Sequence, residues 1–278
     1  MKRLLLLILL ALSLTVTAQT RRALVIGIGE YPKHTGWRNI HGDADADSIT
    51  ALLTEAGYQS ITTLKNADAT KSRIVDSFHN LARKCHKGDI VYIHFSGHGQ
   101  QMTDSDGDEH DNLDESWIPY DACRKPCAQD QGECHLVDDE IGVLLDSIYN
   151  KVGPEGRILV VVDACHSGTS TRGNAPQRGT SLVFQRQKTT VRYTATRDHW
   201  ILIAACRPDQ LNTETLNPSM GILTYALCAA VRSGKGDSNA QFIARMQKIV
   251  NRRKTQDRDQ TITPTNLTLF NIIEILQK

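Results

Sequence analysis

The sequence predicts an α/β fold, a three-layer α/β/α sandwich on a mostly parallel six-stranded sheet. Two observations carry that expectation. Short Ile- and Val-rich runs alternate with longer segments whose apolar residues recur at helical spacing. This βαβα rhythm places helices on both faces of a parallel sheet. The second observation is size: 278 residues, 40% hydrophobic and 23% charged, suffice for one large core.

The elements follow in order. Met1-Lys2-Arg3 is a positive start, residues 4–14 are apolar, and Val16-Thr17-Ala18 offers small residues for cleavage. Residues 1–18 thus read as a signal peptide and 19–278 as the exported domain, periplasmic or extracellular. The alternative is a retained anchor, for which the apolar stretch is short of the roughly 20 residues a span needs. Strands are expected at 22–28, 61–64, 89–95, 157–162, 200–206 and 267–272. Helices are expected at 45–56, 70–84, 138–149, 221–232 and 240–252. In the first, Ile49, Leu52 and Leu53 share a face; in the second, Ile74, Phe78 and Leu81 do. Two long stretches, 100–136 and 169–199, break the rhythm and read as loops. Each follows a strand end, where long loops wall or gate a site.

Those two strand ends carry the chemistry. Ser96-Gly97-His98-Gly99 closes one apolar run and Asp163-Ala164-Cys165-His166-Ser167-Gly168 the other. Open α/β sheets place active sites at such carboxyl ends. A thiol and an imidazole delivered together form a nucleophile and its general base. Cys165 is the expected nucleophile and His98 its partner. The backbone N–H groups of Gly99 and Cys165 are candidates to hold an oxyanion. The bland readings are a structural thiol and a core imidazole. His166 competes as base, but successive side chains leaving a strand point apart. His94 lies inside the strand and reads as structural.

Other residues keep two readings. Asp163 either binds a cationic substrate side chain or orients a loop. Asp45 either opens the first helix as an N-cap or does more; Asp43 and Asp47 flank it. Asp104, Asp106, Asp108 and Glu115 fall at positions one, three, five and twelve of an EF-hand-like loop, but Glu109 stands where the turn needs Gly. That loop is either a calcium candidate or solvated acid. Cys123, Cys127 and Cys134 allow a local disulfide and match no paired zinc-knuckle spacing. Cys206 and Cys228 read as core. Formal net charge is +1, so no global field favours nucleic acid, and no membrane role beyond export is expected.

The His98 and Cys165 motifs together resemble the metacaspase branch of the caspase-like cysteine peptidases, over residues 22–273. Asp163 and His166 differ from the Gln and Arg that animal caspases place around the nucleophile. The resemblance implies a caspase-like fold and hydrolysis of protein or peptide substrates after Arg or Lys. It implies an acidic primary pocket of Asp45, Ser96 and Asp163, with Gly42 standing where the family has a Cys. It implies calcium stimulation through Asp114, Asp138 and Asp139, although Arg172 stands where a further Asp is usual. Self-cleavage at basic residues after the nucleophile strand points to Arg172, Arg178, Arg186 and Lys188. No organic cofactor is expected, and the protein is expected to act as a monomer. The alternatives are a non-catalytic binding module and a ligase using the same thioester.

Overall fold

The computed structural model describes residues 19–104, 107, 109, 111–165, 177–186, 198–207, 210, 212–234, 236–253 and 260–278. The proposed signal segment lies outside these residues. The first half of the chain builds β1 (Arg21–Gly27), α1 (Gly42–Glu55), β2 (Ser60–Lys65), α2 (Lys71–Lys84) and β3 (Ile90–Ser96). Next come β4 (Gly99–Thr103), β5 (Leu113–Trp117), β6 (Leu136–Val137), α3 (Asp138–Val152) and β7 (Arg157–Asp163). The chain ends with β8 (Ile201–Ala204), β9 (Glu214–Leu216), β10 (Ser219–Gly221), α4 (Ile222–Ser233), α5 (Asn239–Arg253), β11 (Thr263–Thr265) and α6 (Ile273–Leu276).

The central sheet has six strands in the order β11-β8-β7-β3-β1-β2. All pairs are parallel except β11 with β8. Alternate strand residues face opposite ways. Val25, Tyr92, Leu159 and Val161 meet Ile49 and Leu53 of α1 and Leu223 and Leu227 of α4. Leu24, Ile93, Phe95 and Val160 meet Ile74 and Phe78 of α2 and Leu144 and Ile148 of α3. Both faces are therefore covered, as buried parallel strands require. Phe78 is fully buried, and truncating such a side chain to Ala costs about 3–5 kcal/mol. Among the described residues no helix is long and apolar enough to cross a membrane.

The structure corrects three expectations. Helix α1 begins at Gly42 rather than at residue 45, so Asp45 is buried in the first turn and is no N-cap. Gly42 lets that turn sit on the sheet: a Cβ there would lie 2.5 Å from the carbonyl oxygens of Ile28 and Ser96. Residues 100–136 are not simply a loop. They carry β4 and β5, which with β6 make a small antiparallel sheet in which β4 is an edge. The final strand is Thr263–Thr265, not 267–272. Asn239 Nδ2 donates to the carbonyls of both Leu267 and Phe270 (2.6 Å each) and holds that apolar run in a turn. Pro264 fits the strand only because β11 is an edge.

Candidate active site

Ser96 of β3 pairs with Asp163 of β7. His98 and Cys165 each lie two residues beyond that pair, at adjacent carboxyl ends of the sheet. The His98 ring stacks on Trp37 (centroids 4.6 Å apart) and tilts against Tyr31 (5.1 Å). Its Nε2 is 2.8 Å from the Arg38 carbonyl, which can only accept, so Nε2 carries the proton. Nδ1 is then the basic nitrogen. It is buried and makes no hydrogen bond among the described residues. Burial pushes the imidazole down to about 4, so it is neutral at pH 7. Cys165 is buried, and its thiol donates to the Gln210 carbonyl at 2.9 Å.

Residues 177–186 cross both strand ends as a strap. The N–H groups of Cys165 (3.0 Å) and Gly99 (3.1 Å) donate to one acceptor, the Arg178 carbonyl oxygen. Two donors converging on one carbonyl oxygen is the geometry that stabilises negative charge developing there. The Arg178 N–H donates to the Asn212 carbonyl at 3.2 Å. Gly179 then passes over Cys165 so closely that a Cβ would lie 2.3 Å from the Cys165 carbonyl oxygen.

The Arg178 side chain is fully buried among acids. Its Nη1 donates to Ser96 Oγ (2.5 Å) and to the Asp163 carbonyl (3.2 Å), with Asp163 Oδ1 at 3.7 Å. Its Nη2 lies 2.8 Å from both Asp45 Oδ2 and Glu214 Oε1. Each acid is held in turn. Ser96 Oγ donates to Asp45 (2.6 Å), as does the Gly221 N–H (3.1 Å). Asn212 Nδ2 and the Thr224 N–H and hydroxyl donate to Asp163 (2.7, 2.7 and 2.6 Å). The His41 N–H donates to Glu214 (2.7 Å), whose other oxygen is 2.6 Å from His41 Nδ1. Burial pushes the Asp45 carboxyl up to about 7 against the pull of Arg178, and Asp163 adds to the rise. Burial alone lowers the Arg178 guanidinium, but Asp45, Asp163 and Glu214 together lift it well above its ordinary value. The arrangement can hold one guanidinium by both edges and one peptide carbonyl beside a thiol.

The structure thus brings Asp45, Ser96 and Asp163 into one pocket, beside the strand ends bearing His98 and Cys165. It adds Glu214, which the sequence did not single out. Asp43 and Asp47 stay outside: Asp43 accepts from the Ala44 N–H and Asp47 pairs with Lys65 at the surface. His94 is structural, between the Tyr92 and Thr224 hydroxyls. A disulfide joins Cys123 to Cys127, Cys134 keeps a free thiol, and Cys206 is only half-buried. Among the described residues no three His, Cys, Asp or Glu side chains gather to hold a metal ion. Asp114 pairs with Arg186, while Asp138 and Asp139 open α3. Asp106 and Asp108 of the acidic loop lie outside the described residues, as do His166, Arg172 and Lys188.

Residues 20–270 match the family model described as caspase domain. Metacaspase-1A of Aspergillus oryzae is 32% identical over 159 residues, 54% of this chain and 35% of that protein. Metacaspase-2 of Arabidopsis thaliana is 29% identical over 195 residues, 65% of this chain and 43% of that protein. The chain therefore covers well under half the length of these curated relatives. Among solved structures, a Geobacter sulfurreducens protein matches with a TM-score of 0.65 at 25% identity, over 88% of this chain and 92% of that one.

Proposed function

This chain belongs to the caspase domain family, and on that footing we propose that it is a cysteine endopeptidase that cuts after Arg or Lys, beginning with its own Arg178–Gly179 bond. One observation carries the reading: the Arg178 guanidinium lies among Asp45, Asp163 and Glu214 while its carbonyl oxygen accepts from both Gly99 and Cys165. A segment in that position is a substrate held at its cleavable bond.

In this reading His98 Nδ1 takes the Cys165 proton and the sulfur attacks the Arg178 carbonyl carbon. The oxygen gains charge facing two N–H donors. The tetrahedral species collapses to a thioester, and the Gly179 amine leaves with the proton from His98. Water then attacks the thioester, giving its proton to His98, and the thiol is restored. No step runs through a metal. Calcium stimulates the enzyme through Asp114, Asp138 and Asp139. The protein works outside the cytoplasm after loss of residues 1–18.

The test pairs two measurements on the purified full chain. Intact-mass spectrometry is expected to find a cut after Arg178, absent in Cys165→Ala and His98→Ala. A blocked Arg reporter is expected to be hydrolysed, with the same losses and with calcium raising the rate. Cleavage of an Asp reporter in place of the Arg one would refute the pocket assignment.

A further inference from the structure

Beyond Gly179 the strap continues along β4 and is held at every second residue. Thr180 Oγ accepts from Arg124 Nη2 (2.9 Å). The Leu182 carbonyl accepts from Gln100 Nε2 (2.8 Å). The Phe184 N–H donates to the Gln101 carbonyl (2.8 Å), and its own carbonyl accepts from the Thr103 N–H (3.0 Å). Phe184 is therefore paired by both backbone groups to the free edge of the small sheet, opposite Met102. The residue is 1% exposed, packed on Met102 and Val137, with its ring 4.4 Å from the buried His135 ring. Leu182, two residues earlier, is exposed. Edge-strand addition with one buried anchor is how extended peptides are recognised: the main chain supplies affinity and the pocket supplies selectivity.

We propose that this pocket is a second substrate site, selecting extended polypeptides with an aromatic or large apolar residue at the sixth position after the cut. The inference rests on the Arg178–Gly179 reading, which fixes the register: Phe184 is the sixth residue beyond that bond. Phe184 is the occupant in the uncut chain. A substrate entering in trans places its own side chain there once the strap has yielded. The pocket is built from β4, β6 and His135, and shares no residue with the acid pocket that reads Arg.

Because the strap competes at high effective concentration, the enzyme for the test is Phe184→Ala, with the pocket vacated. Two internally quenched peptides share one Arg–Gly bond and differ only in Phe or Ala at the sixth position after it. A blocked Arg reporter with no downstream residues reads the acid pocket and the thiol alone. The Phe peptide is expected to show a kcat/KM roughly tenfold to a hundredfold above the Ala peptide, mostly through KM, as burial of one Phe implies. Equal values with active reporter hydrolysis overturn the second site and leave the Arg reading standing. No reporter hydrolysis by the unsubstituted enzyme overturns the Arg reading and this inference with it. If Phe184→Ala does not fold, Phe184→Leu carries the same comparison against a smaller plug, with the same two outcomes.

Discussion

Arg178 is the guanidinium that meets all three pocket carboxylates, so its removal tests the charge arrangement directly. The perturbation is Arg178→Met in a Cys165→Ala background, which keeps the chain intact and most of the aliphatic volume. Breaking a buried pair from one side costs about 3–5 kcal/mol, because the remaining charge has no compensation. An independent bound agrees. A carboxylate that loses its partner can escape by taking a proton, and from an ordinary value near 4 that costs about 5 kcal/mol at pH 7.5. Glu214 Oε1 sits 2.8 Å from Arg178 Nη2, and both side chains are buried. Glu214→Gln alone is therefore expected to cost about 2 kcal/mol. The double variant is expected to lose about 2 kcal/mol less than the two single losses together, since the Glu214→Gln change leaves one fewer unpaired charge. Urea unfolding of the four chains at pH 7.5, with unchanged m, measures the cycle. Additive losses, or an Arg178→Met chain as stable as its parent, would refute the buried-cation account.

Glu214→Gln in the active enzyme is expected to lower kcat/KM for the Arg reporter roughly tenfold to a hundredfold, since a charge-assisted bond to the guanidinium is lost; an unchanged value would remove Glu214 from substrate binding. Gly179→Val is expected to stop the cut after Arg178, because its Cβ would meet the Cys165 carbonyl at 2.3 Å; intact mass showing processing at the unsubstituted rate would mean the strap is not the substrate. His98 gives a pH prediction. Its imidazole titrates near 6.5 unfolded and is held down to about 4 by burial, so the folded state binds fewer protons between those values. Stability is lost as pH falls from about 6.5 to about 4, by about 3 kcal/mol from this group. In the Cys165→Ala background, His98→Gln is expected to lower the slope of the urea-midpoint profile across that window, leaving the share of His94, whose imidazole burial also holds down to about 4, and a slope matching the parent's would contradict the buried neutral imidazole.

How far the sequence could be read depended on what each segment buries. The central strands are buried on both faces, so β3 and β7 show as apolar runs and their ends fall where His98 and Cys165 were expected. The small sheet is hidden because polar residues interrupt its buried positions. Gln100 and Ser116 are fully buried, with Ser116 Oγ donating to the Gln100 carbonyl, so β4 and β5 lack the apolar alternation that marks a strand. Asp45 looked equally like an N-cap, and only a helix beginning three residues earlier turns it inward. Glu214 sits in the polar stretch Asn212-Thr213-Glu214-Thr215, which has no period and no motif. The hairpin β9–β10, three residues to a strand, carries it to the pocket, and a contact made across that distance leaves no local trace.

The pocket's geometry also bears on which cation it accepts. Arg178 presents Nη1 to Ser96 and Asp163 and Nη2 to Asp45 and Glu214, so the charge is shared between two edges of one planar group. A lysine ammonium is a point charge with three donors and cannot span both edges at once. On the proposed reading Arg is therefore preferred over Lys, and the strap holds an Arg at its buried position for the same reason. The same sharing explains why the strap persists in the uncut chain. Withdrawing Arg178 leaves three buried carboxylates facing one another, so the strap yields only as water or a substrate guanidinium takes its place. Cleavage after Arg178 does not remove that guanidinium. It leaves a new negative carboxylate where a neutral peptide carbonyl stood, on the residue that Asp45, Asp163 and Glu214 surround. That carboxylate faces the Gly99 and Cys165 N–H groups, which offset its charge. On the proposed reading, a cut after Arg178 separates residues 179–186 from that buried anchor, so the downstream strap is then held only by its contacts along β4, and its release is the step by which processing would open the site to other chains.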